Sequence, residues 1–150
     1  MQTNHILLVE DNEGDILLTK EALEDATTNT KLSIVKDGKE AVDFLNKVGK
    51  YTEEGLPDLL LLDINLPKKN GHEVLKYIKS AEKLKHIPVI MLTTSSSEED
   101  INLSYSNYAN CYITKPVEVD DFLSVVTSIE KFWTKVVRLP TNKISSNDKG

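Results

Sequence analysis

The stretch "DLLLLDINLP", residues 58–67, decides how the rest of the chain is read. Leu59 to Leu62 form an unbroken apolar run, which is what a strand buried on both faces requires. Asp63 then ends that run with a charge. A carboxylate at the rim of a hydrophobic core is costly unless something compensates it. The compensation has to be sought elsewhere in the chain.

Three more apolar runs share the character of the first: "HILLVE" at 5–10, "IPVIMLTT" at 87–94 and "CYIT" at 111–114. A weaker one, "KLSIVK" at 31–36, has the mixed polarity of an edge strand. Helical patterns fill the gaps, at 13–26, 39–48, 72–81, 98–108 and 119–137. The fourth follows "SSSEED", a serine cap with acids in the first turn. In the last, Phe122, Val125, Val126, Ile129, Trp133, Val136 and Val137 recur at helical spacing. Strand and helix thus alternate five times, which predicts an α/β domain with a parallel sheet and right-handed crossovers.

Composition bounds the function. The 150 residues suit one domain, predicted over 1–138, with a polar, disordered tail, "TNKISSNDKG", closing a segment at 139–150. A net charge of −6 argues against nucleic acid and anionic membrane surfaces as partners. No apolar run approaches the roughly 20 residues of a membrane span, and "MQTNH" is not a secretory signal. The single cysteine, Cys111, fits a reducing cytoplasm. His5, His72 and His86 lack ligand spacing and are expected to be solvated surface residues.

In an open parallel sheet, ligands bind beyond the carboxyl ends of the strands. At those ends stand Glu10 and Asp11, then Asp63, Thr93, and Lys115 with Pro116. If the central strands are neighbours, these side chains converge. Carboxylates about 4 Å apart repel by on the order of 4 kcal/mol per pair at an effective dielectric of about 20. One lysine cannot offset that for three acids, but a hard divalent cation such as Mg²⁺ can. "VEDNEGD" carries acids where a phosphate-cradling loop would carry glycines, so the ready-made site is for a cation. With Mg²⁺ and Lys115 neutralising phosphoryl oxygens and Thr93 donating a hydrogen bond, the parts suit phosphoryl transfer to an aspartate, and Asp63 is the central candidate.

On these residues the chain resembles the receiver domain of two-component response regulators, from residue 5 to about residue 130. The resemblance implies a flavodoxin-like, doubly wound three-layer sandwich with strand order 2-1-3-4-5. It implies Asp63 as phosphoacceptor, with Glu10, Asp11, Asp63 and the backbone carbonyl of Asn65 holding Mg²⁺. Thr93 takes the place of the switch hydroxyl, Tyr112 that of the aromatic that follows it, and Lys115–Pro116 that of a "KP" pair whose peptide bond is usually cis. Pro67 and Gly71 match the turn after the third strand. Thr94 departs from the usual alanine or glycine, which touches the rates of phosphoryl gain and loss. "DINLPKKNGHEVLKYIK", "NCYITKP" and the long loop "GKYTEEGLP" further resemble the small response regulators paired with cyanobacterial phytochromes.

The implied function is a stand-alone response regulator, not a turnover enzyme. A sensor histidine kinase would phosphorylate Asp63, and the surface of the fourth helix, fifth strand and fifth helix would change. The apolar "FWTKVV" points to a homodimer through that face, burying Phe132, Trp133 or Val136. The alternative is an aspartyl-phosphate hydrolase of the haloacid dehalogenase type. That class wants D-x-D after its first strand, whereas this chain has D-x-N at Asp63–Asn65 after its third.

Overall fold

The computed structural model describes residues 4–24 and 29–140. Five parallel strands, β1 (Asn4–Val9), β2 (Thr30–Val35), β3 (Leu59–Leu62), β4 (Val89–Thr93) and β5 (Cys111–Thr114), form one sheet in the order β2-β1-β3-β4-β5. Between and after them run α1 (Glu13–Glu24), α2 (Gly38–Leu45), α3 (Gly71–Ser80), α4 (Glu98–Ser106) and α5 (Val119–Lys131). The predicted doubly wound topology is therefore the observed one.

The leucine run explains the layering. Side chains along a strand alternate between faces. Leu60 and Leu62 enter the core shared with Phe44 of α2 and Val74, Leu75 and Ile78 of α3. Leu59 and Leu61 enter the core shared with Ile16 of α1 and Phe122, Val126 and Ile129 of α5. All four leucines are at most 1% exposed. A central strand with a helical layer on each face has no solvent side, so continuous hydrophobicity is what the fold demands of it.

Two glycines set how tightly the loop after β3 is held. A Cβ on Gly71 would stand 2.2 Å from the Asp63 carbonyl oxygen, and Gly71 N–H donates to the Ile64 carbonyl at 2.7 Å. From the other side, a Cβ on Gly38 would stand 1.9 Å from the Lys69 carbonyl oxygen, and Gly38 N–H donates to the Pro67 carbonyl at 3.2 Å. Both helices thus start in direct backbone contact with this loop. Asn70 caps α3 with a full capping box through Glu73, and Asp37 caps α2 by accepting from Glu40 N–H.

Two helix ends differ clearly from the sequence reading, and a third falls outside the described residues. Helical periodicity in the first runs to residue 26, but residues 25–28 lie outside the described set. The second stops at Leu45, because Lys47 takes a left-handed φ of 59° that a helix cannot contain. The fifth keeps α geometry only to Lys131, and Phe132–Val136 form a π turn closed by Val137 N–H donating to the Phe132 carbonyl. The Thr134 hydroxyl donates to the Glu130 carbonyl at 2.5 Å, taking the acceptor that its own backbone N–H would use in an α-helix. That shift in register leaves Phe132 and Val136 exposed and Trp133 half-buried. From residue 141 onward the polar tail lies outside the described residues.

Leu61→Ala is expected to lower unfolding free energy by about 2–5 kcal/mol, because the cavity it opens lies against a tightly packed helix layer. Urea denaturation would show it as a lower midpoint with an unchanged slope.

Candidate functional site

The sheet order brings together what the strand ends carry. β1, flanked by β2 and β3, delivers Glu10 and Asp11; β3 delivers Asp63; β4 delivers Thr93; β5 delivers Lys115. Glu10, Asp11 and Asp63 each offer a carboxylate oxygen, and these atoms lie within 4.8 Å of one another. Glu10 and Asp63 are buried, while Asp11 is exposed. Such a set of hard oxygen donors fits a divalent cation that keeps part of its water shell.

Lys115 is the compensation that the buried charge of Asp63 required. Its ammonium reaches Glu10 Oε1 at 2.5 Å, Asp15 Oδ2 at 2.8 Å and Asp63 Oδ2 at 3.2 Å. Burial works against its charge, but the bonds to Asp15 and Glu10 and the Asp63 charge outweigh that and hold its pKa above the usual lysine range. Asp63 Oδ1 accepts from Ile64 N–H at 2.7 Å and Asn65 N–H at 3.4 Å, so the carboxylate is fixed at both oxygens. Burial pushes the Glu10 carboxyl up to about 7; the bond to Lys115 opposes the shift and the Asp63 charge adds to it.

On the other flank, Thr93 is fully buried and its hydroxyl oxygen accepts from Ser95 N–H at 3.4 Å. The neighbouring Thr94 is exposed. The Tyr112 hydroxyl donates to the Ser95 carbonyl at 2.8 Å. Ser95 in turn donates its side-chain hydroxyl to Asp100 Oδ2 at 2.6 Å, and Asp100 Oδ1 lies 2.9 Å from His72 Nε2. These two contacts hold the Asp100 carboxyl below the usual aspartate range. The chain of contacts links α3, α4 and β5 around the loop after Thr93.

Some expectations change here. The Lys115–Pro116 peptide bond is trans, where the resemblance implied cis. A tertiary amide still prefers trans by about 0.5–1 kcal/mol, and in this form Lys115 N–H already donates to the Thr93 carbonyl at 2.7 Å. Of the three histidines, only His86 is exposed. His5 is buried against Phe44 with Nε2 2.8 Å from Ser33 Oγ, and His72 is tied to Asp100.

A family model described as the response regulator receiver domain matches residues 6–127. The chain belongs to the response regulator receiver family. It is 47% identical over 135 residues to the response regulator Rcp1 of Synechocystis sp., which covers 90% of this chain and 92% of that protein. The crystal structure of the phosphorylated cyanobacterial phytochrome response regulator RcpA superposes with a TM-score of 0.91 at 46% identity, covering 93% of this chain and all of that one. The Mn²⁺-bound form of Rcp1 gives 0.89 at 46% identity, covering 92% of this chain and 99% of that one. The resemblance to phytochrome response regulators stands, and the hydrolase alternative finds no support.

Within this receiver, sequence reasoning missed Asp15, Ser95, Asp100 and His72. Asp15 opens a helix, where an acid already has an ordinary reason to be. The other three make contacts that only the folded chain brings about, such as the pairing of His72 with Asp100 across 28 positions.

The raised Glu10 carboxyl has a consequence for the metal-free protein. Between about 4.3, the ordinary glutamate value, and about 7, the folded chain keeps a proton that the unfolded chain releases. Glu10 therefore makes stability fall as pH rises through that window. His5, whose pKa burial lowers, acts in the opposite sense. In chelator, urea midpoints from pH 5 to pH 7 are expected to slope more negatively for the unaltered protein than for Glu10→Gln.

Proposed function

We propose that this chain is a phosphoacceptor that takes a phosphoryl group on Asp63 from a sensor histidine kinase of the phytochrome type. The observation that carries the reading is a buried carboxylate at the mouth of the sheet, fixed at one oxygen by backbone amides and at the other by a buried lysine. The similarity to RcpA and Rcp1 supports it, since those are structures of a phosphorylated cyanobacterial phytochrome response regulator and of a Mn²⁺-bound response regulator.

Glu10, Asp11, Asp63 and the Asn65 backbone carbonyl would hold Mg²⁺, which would neutralise charge on the transferring phosphoryl oxygens. In the transfer, an Asp63 oxygen attacks phosphorus, the phosphorus–nitrogen bond to the kinase histidine breaks, and the freed imidazole keeps the electron pair. Lys115 pairs with one equatorial oxygen and the Thr93 hydroxyl donates to another. Thr94, exposed next to Thr93, sets how easily the group enters and how quickly water removes it. The chain ends its cycle by losing the phosphoryl group to water, so it acts as a carrier of signal and not as a turnover catalyst. We infer that it works in the cytoplasm beside its kinase, a reading that the free Cys111 supports.

The output face is α4, β5 and α5. The Ser95 carbonyl receives the Tyr112 hydroxyl, and Tyr112 N–H donates to the Tyr105 hydroxyl of α4, so a shift of Thr93 reaches both β5 and α4. Phe132 and Val136 stand 51% and 68% exposed at the end of α5, with Trp133 edge-on to Phe132 at 5.8 Å. A second copy covering Phe132, Trp133 and Val136 would remove this apolar surface from water.

Asp63→Asn is expected to accept no label from a phosphorylated kinase or from acetyl phosphate, and chelation of Mg²⁺ to abolish labelling of the unaltered chain. Labelling of the variant would sink the assignment. Sedimentation should show a dimer that is more populated after phosphorylation and is weakened by Trp133→Ala; a monomer in both states at high concentration would rule the interface out.

A further inference from the structure

Asp15 has no role in the reading above, yet its oxygen sits nearer the Lys115 ammonium than that of the phosphoacceptor. Asp15 Oδ2 is 2.8 Å from Lys115 Nζ, and Asp63 Oδ2 is 3.2 Å from it. An ammonium has three protons. Glu10, Asp15 and Asp63 take all three, and Asp63 holds the longest contact. The side chain of Asp15 comes from a fixed base: its N–H donates to Asn12 Oδ1 at 2.9 Å, and its carbonyl accepts from the Thr19 hydroxyl at 2.8 Å.

From this geometry we propose that Asp15 is a positioning residue that draws the Lys115 ammonium toward α1 and keeps Asp63 loosely paired, open to a cation. The inference rests on the phosphoacceptor reading of the same site. Its physical basis is competition. The Lys115 side chain is 4% exposed, so a lost partner is poorly replaced by water. Without Asp15, the ammonium settles on Glu10 and Asp63, two of the carboxylates that would ligate Mg²⁺. Lysine and cation would then contend for the same oxygens. The charge of Asp15 itself also favours a cation nearby.

For an anion the sign reverses. Asp15 repels an incoming phosphoryl group and occupies an N–H that could reach one of its oxygens. One substitution should therefore weaken the cation without weakening the anion. A residue with only a structural role would weaken both together, along with stability.

The test uses the whole chain with Asp15→Asn, Asp15→Ala and Asp15→Glu. Calorimetric titration gives the Mg²⁺ dissociation constant, and beryllofluoride, a tetrahedral stand-in for the phosphoryl group, is then titrated at saturating Mg²⁺. Asn and Ala are expected to raise the Mg²⁺ dissociation constant on the order of tenfold, with a half-saturation for beryllofluoride no higher than in the unaltered chain. Glu, which keeps the charge, should recover most of the cation affinity. An unchanged Mg²⁺ constant, or parallel weakening of cation and anion, would overturn the role of Asp15 alone. If the unaltered chain binds neither probe, the phosphoacceptor reading fails and takes this proposal with it.

Discussion

The bonds from the Lys115 ammonium to three carboxylates are the constraint on which the rest of this structure depends. They join β5 to β1, α1 and β3 across separations of 105, 100 and 52 residues. Burying Glu10 and Asp63 side by side without a cation among them would be prohibitive, and burying Lys115 without acids would be equally so. Only the sheet order that sets β1 between β2 and β3, and β4 between β3 and β5, lets all of them meet. The apolar strands then serve as mounts whose last residues carry the charges.

How far the sequence could be read follows from the same physics. Leu59 to Leu62 announced a strand with two covered faces, because a strand between two helical layers has no solvent side and this run is too short for a helix. Glu10, Asp11, Asp63, Thr93 and Lys115 were legible because each closes an apolar run, and strand ends are where such sheets bind ligands. Asp15 was not, since a helix start gives an acid a sufficient explanation. The partnership of His72 with Asp100 and Ser95 was hidden because no periodicity encodes a contact between two helices. The end of α5 was misread for a different reason. A hydrophobic period of 3.6 continues through Trp133 and Val137, but the hydroxyl of Thr134 captures a backbone acceptor and changes the winding.

The two flanks of the site are built differently. On one side, charge meets charge at Lys115 and the contacts are buried. On the other, Thr93, Ser95, Tyr112, Asp100 and His72 are joined by hydrogen bonds between neutral or partly exposed groups. Bonds of the second kind exchange with water at little net loss, which suits the part of the molecule proposed to switch.

The contacts of Gly38 and Gly71 give this difference a mechanical meaning. Both helices behind Asp63 touch its loop through bare backbone, with no side chain between them to yield. That wall behaves as an anvil. The opposite wall is compliant, for α4 buries only Ser104 of its nine residues. A bulky charged group added at Asp63 would therefore find one direction blocked and one open, and the asymmetry would turn a local push into a directed stroke toward α4.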